Sequence, residues 1–282
     1  MADGREFHID KRLARRAFEQ AADRYEQAAA LQHEVEARLL ERLDLVRLRP
    51  RRILDLGAGT GRGSHALLRR YPGAQVVALD IALGMLHHTR RRGRWLRRPL
   101  CTCGDAERLP FADDAFDLVY SNLMLQWCAD LDAAFAELNR VLAPGGLLLF
   151  TTFGPDTLHE LRESWSRVDG YTHVNAFMDM HDIGDALLRA RFADPVMDVE
   201  RLTVTYRDVR DLMRDLKQIG AHNVTAGRAR GLTGRRRLQA LIDAYERYRR
   251  DDVLPASYEI VNGHAWAPDR AVVVPLTMPE RP

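Results

Sequence analysis

At 282 residues, 46% of them hydrophobic and 29% charged, the chain can bury a sizeable core and suits one large domain or a domain with a cap. Its net charge of +2 says little about partners, and no run approaches the roughly 18 consecutive apolar residues of a membrane-spanning helix. Cys101, Cys103 and Cys128 form an odd, sparse set without framework spacing, and the polar start Met1–Glu6 has no apolar secretion core, so a cytoplasmic enzyme is expected.

Residues 1–50 carry helical periodicity, with Ala14, Ala17, Phe18, Ala21 and Ala22 on one stripe and Leu31, Val35, Leu39 and Leu43 on another. Ile53, Leu54 and Leu56 then form a short apolar run suited to a strand buried on both faces. Gly57, Gly59 and Gly61 follow it and let the backbone turn sharply and come close to a ligand. The third glycine of a dinucleotide fingerprint would fall at position 62, where Arg62 stands, so the turn reads as a nucleoside site. An acid inside a buried strand is costly without a role, which marks Asp55 as a site residue. Gln75–Asp80 is a second strand, ending in a carboxylate about 20 residues past the turn, where such folds place the acceptor for ribose hydroxyls.

Cys101-Thr102-Cys103 ends a third strand, followed by Gly104-Asp105-Ala106, and Phe116–Asn122 is a fourth, ending in small polar groups. Pro144-Gly145-Gly146 precedes a fifth. Alternation of strand and helix to about residue 153 implies a parallel doubly wound sheet, whose ligand edge is the carboxyl end of the strands. Beyond it lie helical stretches at 156–168 and 180–189, a strand near 196–206, two helical runs within 207–250 and a last strand at 257–266. The expected fold is α/β: a Rossmann-like, mostly parallel seven-stranded sheet. Helical caps fall at 1–50, 155–180 and 207–252, with a cofactor half at 51–154 and a substrate-side half at 155–282 in one compact unit.

Only Lys11 and Lys217 are lysines, so the basic runs are arginine: Arg90-Arg91-Arg92-Gly93-Arg94 with Arg97-Arg98, and Arg228, Arg230, Arg235, Arg236 and Arg237. Guanidinium groups suit phosphate and carboxylate. The first run reads most simply as a solvated helix face and the second as a dock for an acidic protein. Trp95 is the one aromatic residue within these runs, too few to stack on successive bases, so nucleic acid is not expected. The histidines show no metal spacing, and neighbours such as His87 and His88 diverge on a helix, so no metal is expected. Gly63-Ser64-His65 lacks the pattern of a nucleophile elbow, and Cys101 and Cys103 read as buried small residues.

Asp55-Leu56-Gly57-Ala58-Gly59-Thr60-Gly61, strand-ending Asp80, Gly104-Asp105-Ala106 and Pro144-Gly145-Gly146, in this order, resemble a class I S-adenosylmethionine-dependent methyltransferase. The resemblance implies that the Asp55–Gly61 turn, with Ala58, holds the methionine part of the cofactor. It further implies Asp80 and Ile81 at the ribose, Asp105 and Ala106 at the adenine, and Asn122 as a further cofactor-binding residue. A narrower similarity covers nearly the whole chain. Tyr25 with Ala30-Leu31-Gln32, Ser121–Cys128, Phe150–Phe153, Leu158–Trp165, His173–Phe177 and Leu216–Ala221 resemble the malonyl-acyl-carrier-protein O-methyltransferase family of biotin synthesis, apart from Gln218, where Gly is expected.

That family resemblance implies esterification of the free carboxylate of a malonyl thioester on acyl carrier protein or coenzyme A, priming pimelate synthesis. It also implies that Tyr25 is a lid residue near the cofactor. A carboxylate ionised at neutral pH needs no general base, so rate is expected from alignment and a water-poor cavity. A cation should hold the substrate carboxylate. Lys217, rare in this chain and inside a family-like stretch, is favoured over Arg162. The arginines from Arg228 to Arg237 are expected to dock the carrier, and the protein to act as a monomer. A quinone-pathway carbon methyltransferase and a respiratory complex I assembly factor of the same fold stand as alternatives, since fold alone does not fix function.

Overall fold

The computed structural model describes residues 9–93, 97–221, 223 and 234–269. Its strands are β1 Arg52–Leu56, β2 Gln75–Asp80, β3 Leu100–Cys103, β4 Phe116–Ser121, β5 Leu142–Phe153, β6 Ala193–Tyr206 and β7 Leu254–Trp266. The helices before β5 are α1 Lys11–Ala21, α2 Tyr25–Ala28, α3 Ala30–Arg42, α4 Arg62–Arg70, α5 Leu83–Arg91 and α6 Leu131–Val141. Those after it are α7 His159–Ser166, α8 Met180–Arg189, α9 Val209–Gln218 and α10 Arg235–Tyr245.

The strands form one seven-stranded sheet in the order β3-β2-β1-β4-β5-β7-β6. The pairs from β3 to β5 are parallel, and β7 runs antiparallel to both β5 and β6. Order reverses between β1 and β4, which is where an open α/β sheet leaves a crevice at its carboxyl edge. The two-residue period of a strand sends Leu54 and Leu56 into the apolar layer shared with α6 and α8, and Ile53 into the layer shared with α3 and α4. Asp55 therefore faces α3 and α4. Val35, Leu39 and Leu43, four residues apart and no more than 2% exposed, pin α3 to that layer and its neighbour. Burying each such side chain stabilises by about 1.5–3 kcal/mol.

The expected α/β sheet of seven mostly parallel strands is present, with adjusted strand ends. The sixth and seventh strands begin earlier than expected, because their antiparallel register continues to Tyr206↔Leu254 and to Ala193↔Trp266. The first cap helix is shorter than the 156–168 stretch: Leu158 sits at φ 55 and starts the helix only at His159. Cys103 is exposed and Cys101 partly so, against the expectation of burial, because β3 is the sheet's edge. The first basic run is not a plain solvated face. Arg92 ion-pairs with Glu26 at 2.8 Å and donates to the Thr60 carbonyl, while Arg97 donates to the Pro72 carbonyl at 2.8 Å.

Candidate active site

The carboxyl edge of the sheet opens into a cleft enclosing about 940 Å3 of empty space, part of it open to solvent. Its floor is the glycine turn after β1 with the ends of β2, β3 and β4. Its roof is Lys11, Ala14 and Phe18 of α1, then Tyr25, Gln32, and Ile219 and Ala221 just past α9. The turn is tied to β2, with the Gly57 and Ala58 amides donating to the Leu79 carbonyl at 2.8 and 2.9 Å. Gly57 has φ +74, and a Cβ there would collide with the Met124 side chain. Gly61, at φ +84, opens α4 and backs onto Thr89, where a Cβ would meet Cγ2 at 2.6 Å; it lines neither this cleft nor the smaller one beside it. Gly59 is different, since a Cβ there meets nothing within 4 Å and would project into open space. The turn thus keeps the space beside Gly59 clear of side chains for a ligand.

Asp80 is 8% exposed and accepts from the Ala82 amide at 2.8 Å and the Gly59 amide at 2.9 Å. Burial raises its pKa to about 6, against those two bonds. Ile81 and Ala106 line the cleft beside it. Asp105 lies at the far end, where both its oxygens accept from Lys11 Nζ at 2.8 and 2.7 Å. The same ammonium reaches Glu107 Oε2 at 2.6 Å. Burial pulls the Lys11 pKa down, but the bonds to Asp105 and Glu107 outweigh it and leave it raised. Asn122 donates to the Gln32 carbonyl at 3.1 Å and accepts from the Thr151 hydroxyl at 2.8 Å, locking the start of α3 to β4 and β5. Tyr25 is a roof residue, its phenol kept neutral by burial and then by the charges of Asp80, Glu36 and Glu26.

Asp55, 3% exposed, lines the second, smaller cleft with Ala58. Its Oδ2 accepts from the Ser64 hydroxyl at 2.5 Å, and burial raises its pKa to about 7. The two candidate carboxylate clamps are differently placed. Arg162 donates to the Pro155 and Thr157 carbonyls, both at 2.9 Å, and lies outside the cleft wall. Lys217 is exposed in the last turn of α9, two residues before the wall residue Ile219. Arg235, Arg236 and Arg237 are exposed on the first turn of α10. Arg237 lies 3.7 Å from Asp169 and 6.0 Å from the Tyr171 ring centroid. Arg228 and Arg230 lie outside the described residues.

Lys11, Gln32 and Trp127 escaped the sequence reading as site residues, as did Phe18, which appeared only as part of an apolar stripe. Phe18 and Trp127 meet edge to face at 4.9 Å, closing α1 over the Asp105 end of the cleft. Among the described residues, no group of three or more His, Cys, Asp and Glu side chains is placed to hold a metal ion.

A seven-stranded sheet with one antiparallel strand, a glycine turn after β1 and an acid ending β2 define a class I methyltransferase fold. Residues 54–150 match a methyltransferase domain family. The fold is also similar to that of Haemonchus contortus phosphoethanolamine N-methyltransferase 2, solved with S-adenosyl-L-methionine. That likeness has a TM-score of 0.55 at 19% identity, over 89% of this chain and 57% of that one. Relatives across the whole chain narrow the class. The chain is 54% identical to the malonyl-[acyl-carrier protein] O-methyltransferase of Gallionella capsiferriformans, over 93% of both chains. It is likewise 54% identical to the enzyme of that name from Halorhodospira halophila, over 92% of this chain and 88% of that one. The chain belongs to the malonyl-[acyl-carrier protein] O-methyltransferase family.

Proposed function

We propose that the main cleft binds S-adenosylmethionine and that the protein esterifies the free carboxylate of a malonyl thioester carried on acyl carrier protein. The observation that carries this reading is the mixed lining of a single cleft, in which the acids Asp80 and Asp105 share the wall with the apolar Leu123, Met124, Trp127 and Phe153. The residues fit the cofactor. Gly59 leaves the space beside it clear, Asp80 presents a buried carboxylate for ribose hydroxyls, and Gln32 Oε1 is a buried acceptor without a partner among the described residues. When bound, S-adenosylmethionine supplies an electrophilic methyl group that a carboxylate oxygen accepts with no proton to move.

The protein's own part is to hold and to exclude water. Phe18, Tyr25 and Trp127 close the roof and wall, and alignment at about 3 to 3.5 Å supplies most of the rate. No histidine lines the cleft among the described residues, which suits an acceptor that is already an anion better than a carbon acceptor needing a base. Lys217 is the cation we assign to the substrate carboxylate, because α9 delivers its end to the cleft mouth, whereas the Arg162 guanidinium is committed to two carbonyls. Arg235 and Arg236, exposed on the first turn of α10, belong to the docking surface we assign to the acidic carrier.

The working form we propose is the monomer. No described helix is long and apolar enough to cross a membrane, and the three cysteines are free, which supports a cytoplasmic setting. The test is transfer of labelled methyl from S-adenosylmethionine to malonyl-acyl carrier protein, with malonyl coenzyme A and acetyl-acyl carrier protein alongside. Base-labile label is expected on the malonyl thioesters and none on the acetyl one. Transfer to neither malonyl substrate overturns the reading.

A further inference from the structure

The smaller cleft, enclosing about 410 Å3 of empty space, adjoins the main one through Tyr25, Gln32, Gly57, Gly59 and Asn122. Two carboxylates converge on it from different elements, Glu36 of α3 and Asp55 of β1. A side chain begun at Gly63 would meet Glu36 Oε2 at 3.2 Å and Asp55 Oδ2 at 3.5 Å. Arg62 Nε holds the other Glu36 oxygen at 3.0 Å, and Ser64 holds Asp55.

The surroundings are acidic from every side. Glu26 of α2 is engaged by the Thr60 hydroxyl and by Arg92 of α5, and Asp80 adds a further negative charge behind Asp55. The counter-charges among these groups are Arg62 and Arg92. His33 is held below its ordinary pKa, chiefly by burial, and the Tyr25 and Tyr120 phenols are pushed up by burial, so none of the three adds positive charge at neutral pH. Four carboxylates against two guanidiniums, around a cavity, call for a cation or a proton between Glu36 and Asp55.

We propose that Glu36, together with Asp55, seats the α-ammonium group at the amino-acid end of the cofactor, and that one proton shared by the two acids leaves as the ammonium arrives. This rests on the cofactor reading of the main cleft and makes Glu36 a positioning residue. Its pKa is raised to about 7, by burial first and the Asp55 charge second, against Arg62. Asp55 also lies at about 7 from burial. Such a pair titrates as a unit. An ammonium between them favours both charged forms, so the free-state proton is released on binding and affinity rises as pH passes upward through about 7. One linked proton of that pKa makes binding about tenfold tighter at pH 8 than at pH 6.

The experiment is calorimetric titration of S-adenosylhomocysteine from pH 6 to 8, in buffers of different ionisation enthalpy. Methylthioadenosine, which keeps the nucleoside and thioether but lacks the amino-acid end, is the control. The wild-type protein is expected to release about half a proton per S-adenosylhomocysteine at pH 7 and close to one at pH 6, and none with methylthioadenosine. Glu36→Gln should flatten the pH profile, at least halve the released proton and weaken S-adenosylhomocysteine about tenfold at pH 8, with methylthioadenosine unchanged; Glu36→Asp should restore part of the release. Binding of S-adenosylhomocysteine without proton release, or an unaltered profile in Glu36→Gln, overturns the proposal. Equal losses for both ligands would make Glu36 a fold residue and overturn it too. If neither ligand binds the wild type, the cofactor reading itself fails and the proposal with it.

Discussion

Replacing Asp80 with Ala should damage cofactor binding far more than it damages the fold, and the structure shows why the two effects separate. The carboxylate accepts from the Ala82 and Gly59 amides, and losing it leaves two largely buried N–H groups without a partner, at about 1–3 kcal/mol each. Against this, Asp80 is a burdened acid, its pKa lifted by burial from 3.8 to about 6. A folded-state pKa above the unfolded one means that the charged form is penalised. The penalty is absent below about pH 4, grows as pH rises, and is complete above about 6. At about 1.4 kcal/mol per pH unit it comes to roughly 3 kcal/mol at pH 7. Asp80→Ala removes that penalty together with the bonds, so the apo protein should melt near the wild-type temperature at pH 7 and clearly below it at pH 4.5. Binding has no such offset. Two hydroxyl bonds to a charged acceptor contribute about 1.5–3 kcal/mol each, and their loss should weaken S-adenosylhomocysteine by roughly 10²- to 10⁴-fold. Calorimetric titration with parallel thermal melts reads both quantities. A folded Asp80→Ala protein binding within threefold of wild type would refute the assignment of Asp80 to the ribose.

Lys11→Met leaves Asp105 and Glu107 facing one another without their shared cation. These groups are partly solvated, so the cost is limited to about 1–2 kcal/mol, and it should appear as a five- to thirtyfold weaker cofactor affinity and faster proteolysis before residue 25, with little change in kcat. Lys217→Met and Arg162→Met should part company in a combined kinetic and melting assay. The first should raise KM for malonyl thioester several-fold with an unchanged Tm. The second should lower Tm, because it strips two carbonyls of their donors at about 1–3 kcal/mol each; an unchanged Tm in Arg162→Met, with a raised KM, would move the clamp to Arg162.

The sheet was legible because buried parallel strands leave a strong local mark: apolar runs such as Ile53–Leu56 and Gln75–Asp80 bounded by glycine or acid. The glycine turn was legible for the same reason, since φ above zero at Gly57 and Gly61 restricts which residues can stand there. Lys11 was not, because its partners are 94 and 96 positions away and nothing local separates it from the arginines beside it on α1. Glu36 escaped because it reads as one more charge on an amphipathic helix, and only the packing of α3 against β1 brings it to Asp55. Arg162 stayed open to two readings because a guanidinium in a family-like stretch suits both a substrate carboxylate and backbone carbonyls, and in the structure it donates to the carbonyls of the turn before α7. Cys101 and Cys103 misled because a short apolar strand reads alike at the centre of a sheet and at its edge.

The segment preceding β1 touches both clefts, Lys11 at Asp105 in the main one and Glu36 beside Asp55 in the smaller one, but its parts are attached with different strength. Helix α3 is anchored by Val35, Leu39 and Leu43, which contribute together several kcal/mol of burial. Helix α1 buries Ala14, Ala17 and Ala21, side chains of one carbon each and about 0.8 kcal/mol apiece, so the Phe18–Trp127 contact and polar ties matter more. Those ties reach α5, from Glu19 to the Gly84 amide at 2.9 Å and from Asp23 to His88 at 2.9 Å, and reach Asp105 and Glu107 through Lys11. Exposed pairs contribute about 0.2–1 kcal/mol each and weaken with salt. The Asp105 end of the roof is therefore held by contacts that added salt loosens, while the Glu36 end rests on a helix that salt leaves in place. Raising ionic strength should accordingly speed release of S-adenosylhomocysteine and methylthioadenosine by similar factors, because both ligands share the adenosine that our reading of the cleft assigns beneath α1.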